Sequence, residues 1–158
     1  MNVNHYIGFD VHKKSISYCV KAADGTILEE DTLPAKRAIL RFWARKRTEP
    51  WHGAMEATLF SGWIYDTLKP FAANLQMGNP SMMKAIGASK KKSDKLDART
   101  IADLVRCNLL PVCYVAPAEL RELRRRLRYR NLGVAQAVRM KYKSKLSTCL
   151  WRTLCPAT

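Results

Sequence analysis

No stretch of the 158-residue sequence stays apolar for the ~18 residues a membrane-spanning helix needs. The polar start Met1-Asn2-Val3-Asn4-His5 lacks a signal-peptide core, so the expectation is a soluble, cytoplasmic protein with no membrane partner. Cysteine is sparse and odd in number. Cys19, Cys107, Cys113, Cys149 and Cys155 form no Cys-x-x-Cys pair, and none of His5, His12 and His52 sits beside them. This argues against a disulfide scaffold or a structural zinc site and leaves reduced, packed thiols. With only 7 Gly and 7 Pro against 47% hydrophobic residues, collagen-like and broadly disordered classes are excluded.

Acidic residues are the most telling shortage. There are 13 Asp and Glu against 28 Lys and Arg, a formal charge of +15. The excess is lopsided: residues 1–83 hold 10 basic and 8 acidic side chains, whereas residues 84–158 hold 18 and 5. Solubility requires no such asymmetry. A concentrated positive field attracts a polyanion, most economically nucleic acid, through phosphate contacts and counterion release.

Hydrophobic patterning places the elements. His5 to Val11 is a β-prone run, Ser15 to Val20 alternates polar and apolar, and Asp24-Gly25 is a hairpin signal leading into Thr26 to Leu28. These predict a three-strand antiparallel meander. Pro34 suits the first turn of a helix running to about Arg47, with Ile39, Phe42 and Trp43 on its apolar side. A strand over Trp51–Ala57, a helix over Leu59–Phe71 and a strand over Asn74–Met77 imply parallel strands joined by crossovers. A short helical piece after Pro80, a basic loop at Lys90, Lys91 and Lys92, and a helix over Ser93–Cys107 follow, with a linker over Asn108–Pro117. From Ala118 the residues Leu120, Leu123, Leu127, Val134, Val138, Tyr142 and Leu146 make one helical apolar stripe, a rod of roughly 45 Å over thirty residues. Its other faces carry Arg121, Arg124, Arg125, Arg126, Arg128 and Arg130. From Ser147 the rhythm is lost, which predicts an irregular tail.

Asp10 and Glu56 are out of place chemically. Each is a carboxylate inside a strand-forming apolar run, costly unless paired or bound to a metal, and Glu56 falls at the C-terminal end of a parallel strand, where open α/β sheets build sites. Asp94 and Asp97, three apart, share a helix face, a spacing that equally suits a helix cap and a first-turn dipole contact. Asp103 reads as a solvated or paired surface charge. Four converging carboxylates would repel unless divalent cations neutralised them, and an all-oxygen set suits two Mg²⁺ or Mn²⁺ ions clamping a phosphate. Lys90, Lys91, Lys92, Lys95 and Arg99 would rim such a centre.

The element order resembles the RNase H-like fold of the RuvC Holliday-junction resolvases. Gly8-Phe9-Asp10-Val11-His12-Lys13, Met55-Glu56-Ala57-Thr58 and the run from Lys92 through Asp94, Asp97 and Arg99 to Thr100 resemble, in order, three motifs of the DEDD-type insertion-sequence transposases. The resemblance implies that Asp10, Glu56, Asp94 and Asp97 are a metal-binding catalytic tetrad. It implies an α/β, RNase H-like mixed sheet of about five strands flanked by helices, followed by a long coiled-coil-type helix. The corresponding divisions are a RuvC-like catalytic domain at 1–110, a basic helix at 117–148 for dimerisation and nucleic-acid contact, and a tail at 149–158. It further implies DNA as substrate, an element-encoded guide RNA, and a homo-oligomer formed through the long helix. Arg124, Arg125, Arg126, Arg128 and Arg130 are then nucleic-acid contacts.

Members of that family continue into a C-terminal domain with a serine nucleophile, and the last dozen residues of this chain do not resemble that continuation. The expectation is a truncated or frameshifted copy, incomplete alone, with a non-catalytic nucleic-acid-binding or dimerising remnant as the alternative. An actin-like or sugar-kinase ATPase is disfavoured, because His12-Lys13 stands where a glycine-rich phosphate loop belongs and no Asp-Gly-Gly segment follows.

Overall fold

The computed structural model describes residues 5–87 and 98–154, the side chains of 147–154 excepted. Its first element is β1 (His5–Val11), where strict alternation sends Ile7, Phe9 and Val11 into a core and leaves Tyr6, Gly8 and Asp10 for the other face. β2 (Ser15–Ala22) returns antiparallel to β1, and β3 (Ile27–Pro34) returns antiparallel to β2. The turn between β2 and β3 falls at Asp24-Gly25. Gly25 takes φ +94, and the Asp24 carboxylate accepts the Thr26 N–H at 2.8 Å, a bond that holds its pKa below the ordinary value.

The chain then crosses over through α1 (Arg37–Arg45) to β4 (Trp51–Glu56), and through α2 (Ser61–Leu68) with a following 3₁₀ turn at Lys69–Phe71 to β5 (Asn74–Gly78). β4 is parallel to β1 and β5 parallel to β4, giving one mixed sheet of order β3-β2-β1-β4-β5. This α/β architecture agrees with the expected class. α1 and α2 cover one face, where Phe9, Trp43 and Trp51 meet edge to face with centroids 5.5 to 6.2 Å apart. α3 (Pro80–Gly87) and α4 (Ala98–Arg106) supply Met83, Ile101, Leu104 and Val105 to a smaller core on the other face, together with Ala54 and Leu110.

Several elements differ from the sequence expectation. β3 runs six residues past Leu28, because Glu29, Glu30 and Asp31 sit on an edge strand exposed to solvent, where charge guards against edge pairing. Pro34 ends that strand rather than opening α1, which starts at Arg37; on an edge its missing N–H costs no ladder bond. In α1 the buried residues are Leu40, Trp43 and Ala44, and Phe42 faces solvent. Pro70 converts the end of the second helix to a 3₁₀ turn. The linker after α4 is ordered along β5: Asn79 and Cys113 donate backbone N–H bonds to Pro111 and Met77 respectively, and Val112 bridges Gly78. Asn108, at φ 55, closes α4, with the N–H groups of Asn108 and Leu109 bonded to Val105 and Leu104 carbonyls.

The first compact unit spans Met1–Val115 and the second Ala116–Thr158. The second is built on α5 (Ala118–Leu154), 37 residues and about 55 Å of helix. It continues through Ser147 to Leu154, against the expectation of an irregular tail from 149. Leu150 and Leu154 keep the four-residue step after Leu146, and the first helix-breaking residue is Pro156. The apolar stripe from Leu120 to Leu146 is exposed in the single chain. Among the described residues no helix is long and apolar enough to cross a membrane.

Candidate active site

The parallel register of β1 and β4 pairs Gly8 with Ala54 and Phe9 with Met55. One residue beyond that last pair, Asp10 stands next to last in β1 and Glu56 closes β4, on neighbouring parallel strands. Both belong to the even-numbered set of their strands, the face opposite the Phe9 and Met55 core, and both lie at the C-terminal ends. Here the chain departs from β1 toward β2 on one side and from β4 through α2 toward β5 on the other. A crevice at such a divergence is where open α/β sheets bind ligands. Across the sheet the same row continues through Ser17, opposite Asp10, and Thr32, whose hydroxyls bond at 2.9 Å. On the other side it reaches Gly78, opposite Glu56.

Asp10 is part-buried, and its Oδ2 lies 3.0 Å from His12 Nε2. Among the described residues no hydrogen bond or ion pair engages Oδ1. No hydrogen bond or ion pair among the described residues engages the half-buried carboxylate of Glu56. Carboxylates are oxygen-only donors of the kind that suits a hard divalent ion. Among the described residues no cluster of three or more metal-ligating side chains forms. Asp94 and Asp97, with Lys90, Lys91, Lys92 and Lys95, lie outside the described residues.

What the structure does fix is the helix that follows them. A Cβ on Gly8 would stand 2.1 Å from the Ala98 carbonyl oxygen and 2.4 Å from the Ala102 nitrogen, so only glycine lets α4 rest on β1. Gly8 is two residues before Asp10 on the same face. Polar contacts hold α4 across the meander: Arg99 forks onto Glu30 with bonds of 2.6 and 2.8 Å, and the buried Lys21 reaches Asp103 at 2.5 Å. Asp103 is thus a paired charge, and Arg99 has a carboxylate partner rather than a free guanidinium.

On α5, Arg124, Arg125, Arg126, Arg128 and Arg130 are exposed, and Glu122 pairs with Arg125 at 2.8 Å and Arg126 at 3.1 Å. Those pairs hold the Glu122 carboxyl below its ordinary range, leaving Arg124, Arg128 and Arg130 outside them. Two features of the site escaped sequence reasoning. His12 was visible only as part of a motif, its bond to Asp10 being set by the turn in which the His12 N–H donates to Ser15. Lys13 and Lys14, exposed in that same turn, put positive charge next to Asp10.

A comparison with curated proteins gives no match. The sequence model of a transposase family, the DEDD transposases of IS110 type, matches residues 7–153, nearly the whole chain. That match, over a mixed α/β sheet, gives the assignment: the chain belongs to the IS110-type DEDD transposase family, whose function is DNA transposition.

Proposed function

We propose that this chain performs metal-dependent phosphodiester chemistry on DNA at a centre formed by Asp10, Glu56, Asp94 and Asp97. The observation that supports the reading is that Asp10 and Glu56 fall on the same alternating face near the C-terminal ends of the adjacent parallel strands β1 and β4. α4 supports it, since Ala98 of that helix lies against Gly8, and Asp97 is the residue joined to Ala98. The order β3-β2-β1-β4-β5, with β2 antiparallel to its neighbours, suits an RNase H-like domain.

Among the described residues Asp10 keeps one oxygen, and Glu56 its carboxylate, without a partner, which fits two Mg²⁺ or Mn²⁺ ions held jointly with Asp94 and Asp97. Bound there, the ions would supply charge neutralisation at the scissile phosphate and activation of the attacking oxygen. The protein's own groups do the positioning. His12 holds one oxygen of Asp10, fixing the carboxylate plane. Lys13, Lys14, Lys90, Lys91, Lys92 and Lys95 draw the phosphate backbone over the crevice, and Arg99 orients α4 through Glu30. The α5 arginines, Arg124, Arg125, Arg126, Arg128 and Arg130, then hold DNA or an element-encoded guide RNA. The exposed stripe from Leu120 to Leu146 serves a second copy in a coiled coil.

The test is strand nicking of a branched DNA with Mg²⁺. Wild type nicks it, while Asp10→Asn and Glu56→Gln each lower the rate by at least about 100-fold, the scale of losing a transition-state charge contact. Nicking that survives both substitutions would refute the assignment.

A further inference from the structure

The sheet face opposite Asp10 and Glu56 carries a second charged surface, one that the proposed phosphodiester chemistry does not use. Between Thr32 and Thr48 the sequence has six cations, Lys36, Arg37, Arg41, Arg45, Lys46 and Arg47, and no carboxylate. Helix α1 sets Arg37, Arg41 and Arg45 on one exposed ridge at steps of four residues, a cation about every 6 Å along the axis. Arg47 is committed, with its guanidinium on Glu29 at 2.7 Å and over the Trp43 ring at 4.4 Å. Arg41 and Arg45 make no ion pair among the described residues.

This arrangement works against the helix that bears it. Like charges four apart repel. Lys36 and Arg37 stand at the N-terminus, where the helix dipole favours acids, and Lys36 makes no side-chain capping bond. A face chosen for solubility alone would mix both signs. Such a conflict between local stability and sequence is characteristic of a binding surface.

Aromatic rings interleave with the cations. Phe42, 62% exposed, stands on the solvent side of α1 with Lys46 Nζ 4.6 Å above its ring. On α2 the half-buried Trp63 and Tyr65 lie under Arg37 at 5.4 Å and Lys69 at 5.6 Å. A cationic track beside an exposed ring is what a single strand requires, its phosphates on the cations and an unstacked base on the ring. A duplex keeps its bases stacked internally and would use only the cations.

We propose that the α1 and α2 face binds a single-stranded stretch of nucleic acid, with phosphates along Arg37, Arg41 and Arg45 and a base on Phe42. Phosphates and base faces are common to DNA and RNA, so both bind alike. This surface goes beyond the carboxylate centre and does not depend on it.

The experiment is fluorescence anisotropy in chelator-containing buffer, which removes any contribution from bound metal. The probes are roughly 12-nucleotide single strands of oligothymidylate DNA and oligouridylate RNA, and a hairpin duplex, titrated from about 50 to 200 mM salt. Arg41→Ala/Arg45→Ala should flatten the dependence of log affinity on log salt by about 1.4 for both single strands. Phe42→Ala leaves the net charge unchanged and should weaken single-strand binding about tenfold, with little effect on the duplex. All three positions are exposed, and an unchanged melting temperature verifies the fold. An unaltered salt slope in the double variant would overturn the proposal, because binding would then lie elsewhere, as on α5. So would a Phe42→Ala that leaves single-strand affinity intact or weakens the duplex equally.

Discussion

The two faces of the sheet are made by the same strands, and both pack helices, but the strands give them different side chains. On one, Ile7, Phe9, Val11, Trp51 and Met55 interlock with Trp43, Leu40 and Ile64 in a conventional apolar core. On the other, the intervening residues Gly8, Asp10, Ala54 and Glu56 are small or acidic. A period of two lets one strand stabilise the fold with its odd residues while its even residues admit a helix and present carboxylates. Stability and candidate chemistry are thus separable by parity, and substitutions on the two faces should behave differently.

The largest expected effect lies on the apolar face. Phe9→Ala, which empties a fully buried site between Trp43 and Trp51, should cost about 3–5 kcal/mol, read as a lower midpoint in urea. A loss of under about 1 kcal/mol would show that the aromatic cluster is looser than its geometry. Gly8→Ala tests the other face. The added methyl would meet the Ala98 backbone at 2.1 Å, so α4 must move, costing about 3 kcal/mol. Metal affinity should fall with it, because the chain entering α4 shifts relative to Asp10. A Gly8→Ala protein with wild-type stability and metal binding would break the comparison.

The smallest effect is pH-dependent and belongs to the apolar face again. Burial, reinforced by its hydrogen bond to Glu29, pushes the Tyr18 hydroxyl up to about 12 from 10.0. The folded state therefore holds this proton more tightly than the unfolded state. The resulting stability is fully present below pH 10 and is lost as pH rises from about 10 to 12. Tyr18→Phe should melt with a shallower alkaline decline than wild type over that window. Parallel declines would remove Tyr18 from the account.

Legibility in the sequence followed the same division. The apolar face announced itself through alternation in His5–Val11 and the Trp51–Glu56 run, and the hairpin through Asp24-Gly25. Asp10 and Glu56 were conspicuous because a carboxylate amid apolar strand residues breaks the pattern. What depended on distant partners was invisible. Gly8 shows its purpose only once α4 lies on it, and Arg99 its partner only once Glu30 is on a strand. Glu29, Glu30 and Asp31 lay beyond the strand signal that ended at Leu28, because charge on an exposed edge strand carries no apolar alternation. Phe42 shared helical spacing with Trp43, yet the buried stripe turned out to be Leu40, Trp43 and Ala44. The near-neutral charge of residues 1–83 concealed sorted charges, with cations gathered on α1 and acids on β3.

The central claim is that Asp10 and Glu56 jointly hold a divalent ion. Electron paramagnetic resonance of Mn²⁺ tests it most directly, with wild type, Asp10→Asn and Glu56→Gln titrated under identical conditions and their folds verified by melting. The account predicts a bound Mn²⁺ population in wild type that either substitution weakens at least about tenfold, the loss of one charged ligand. Equal binding by all three proteins would contradict it.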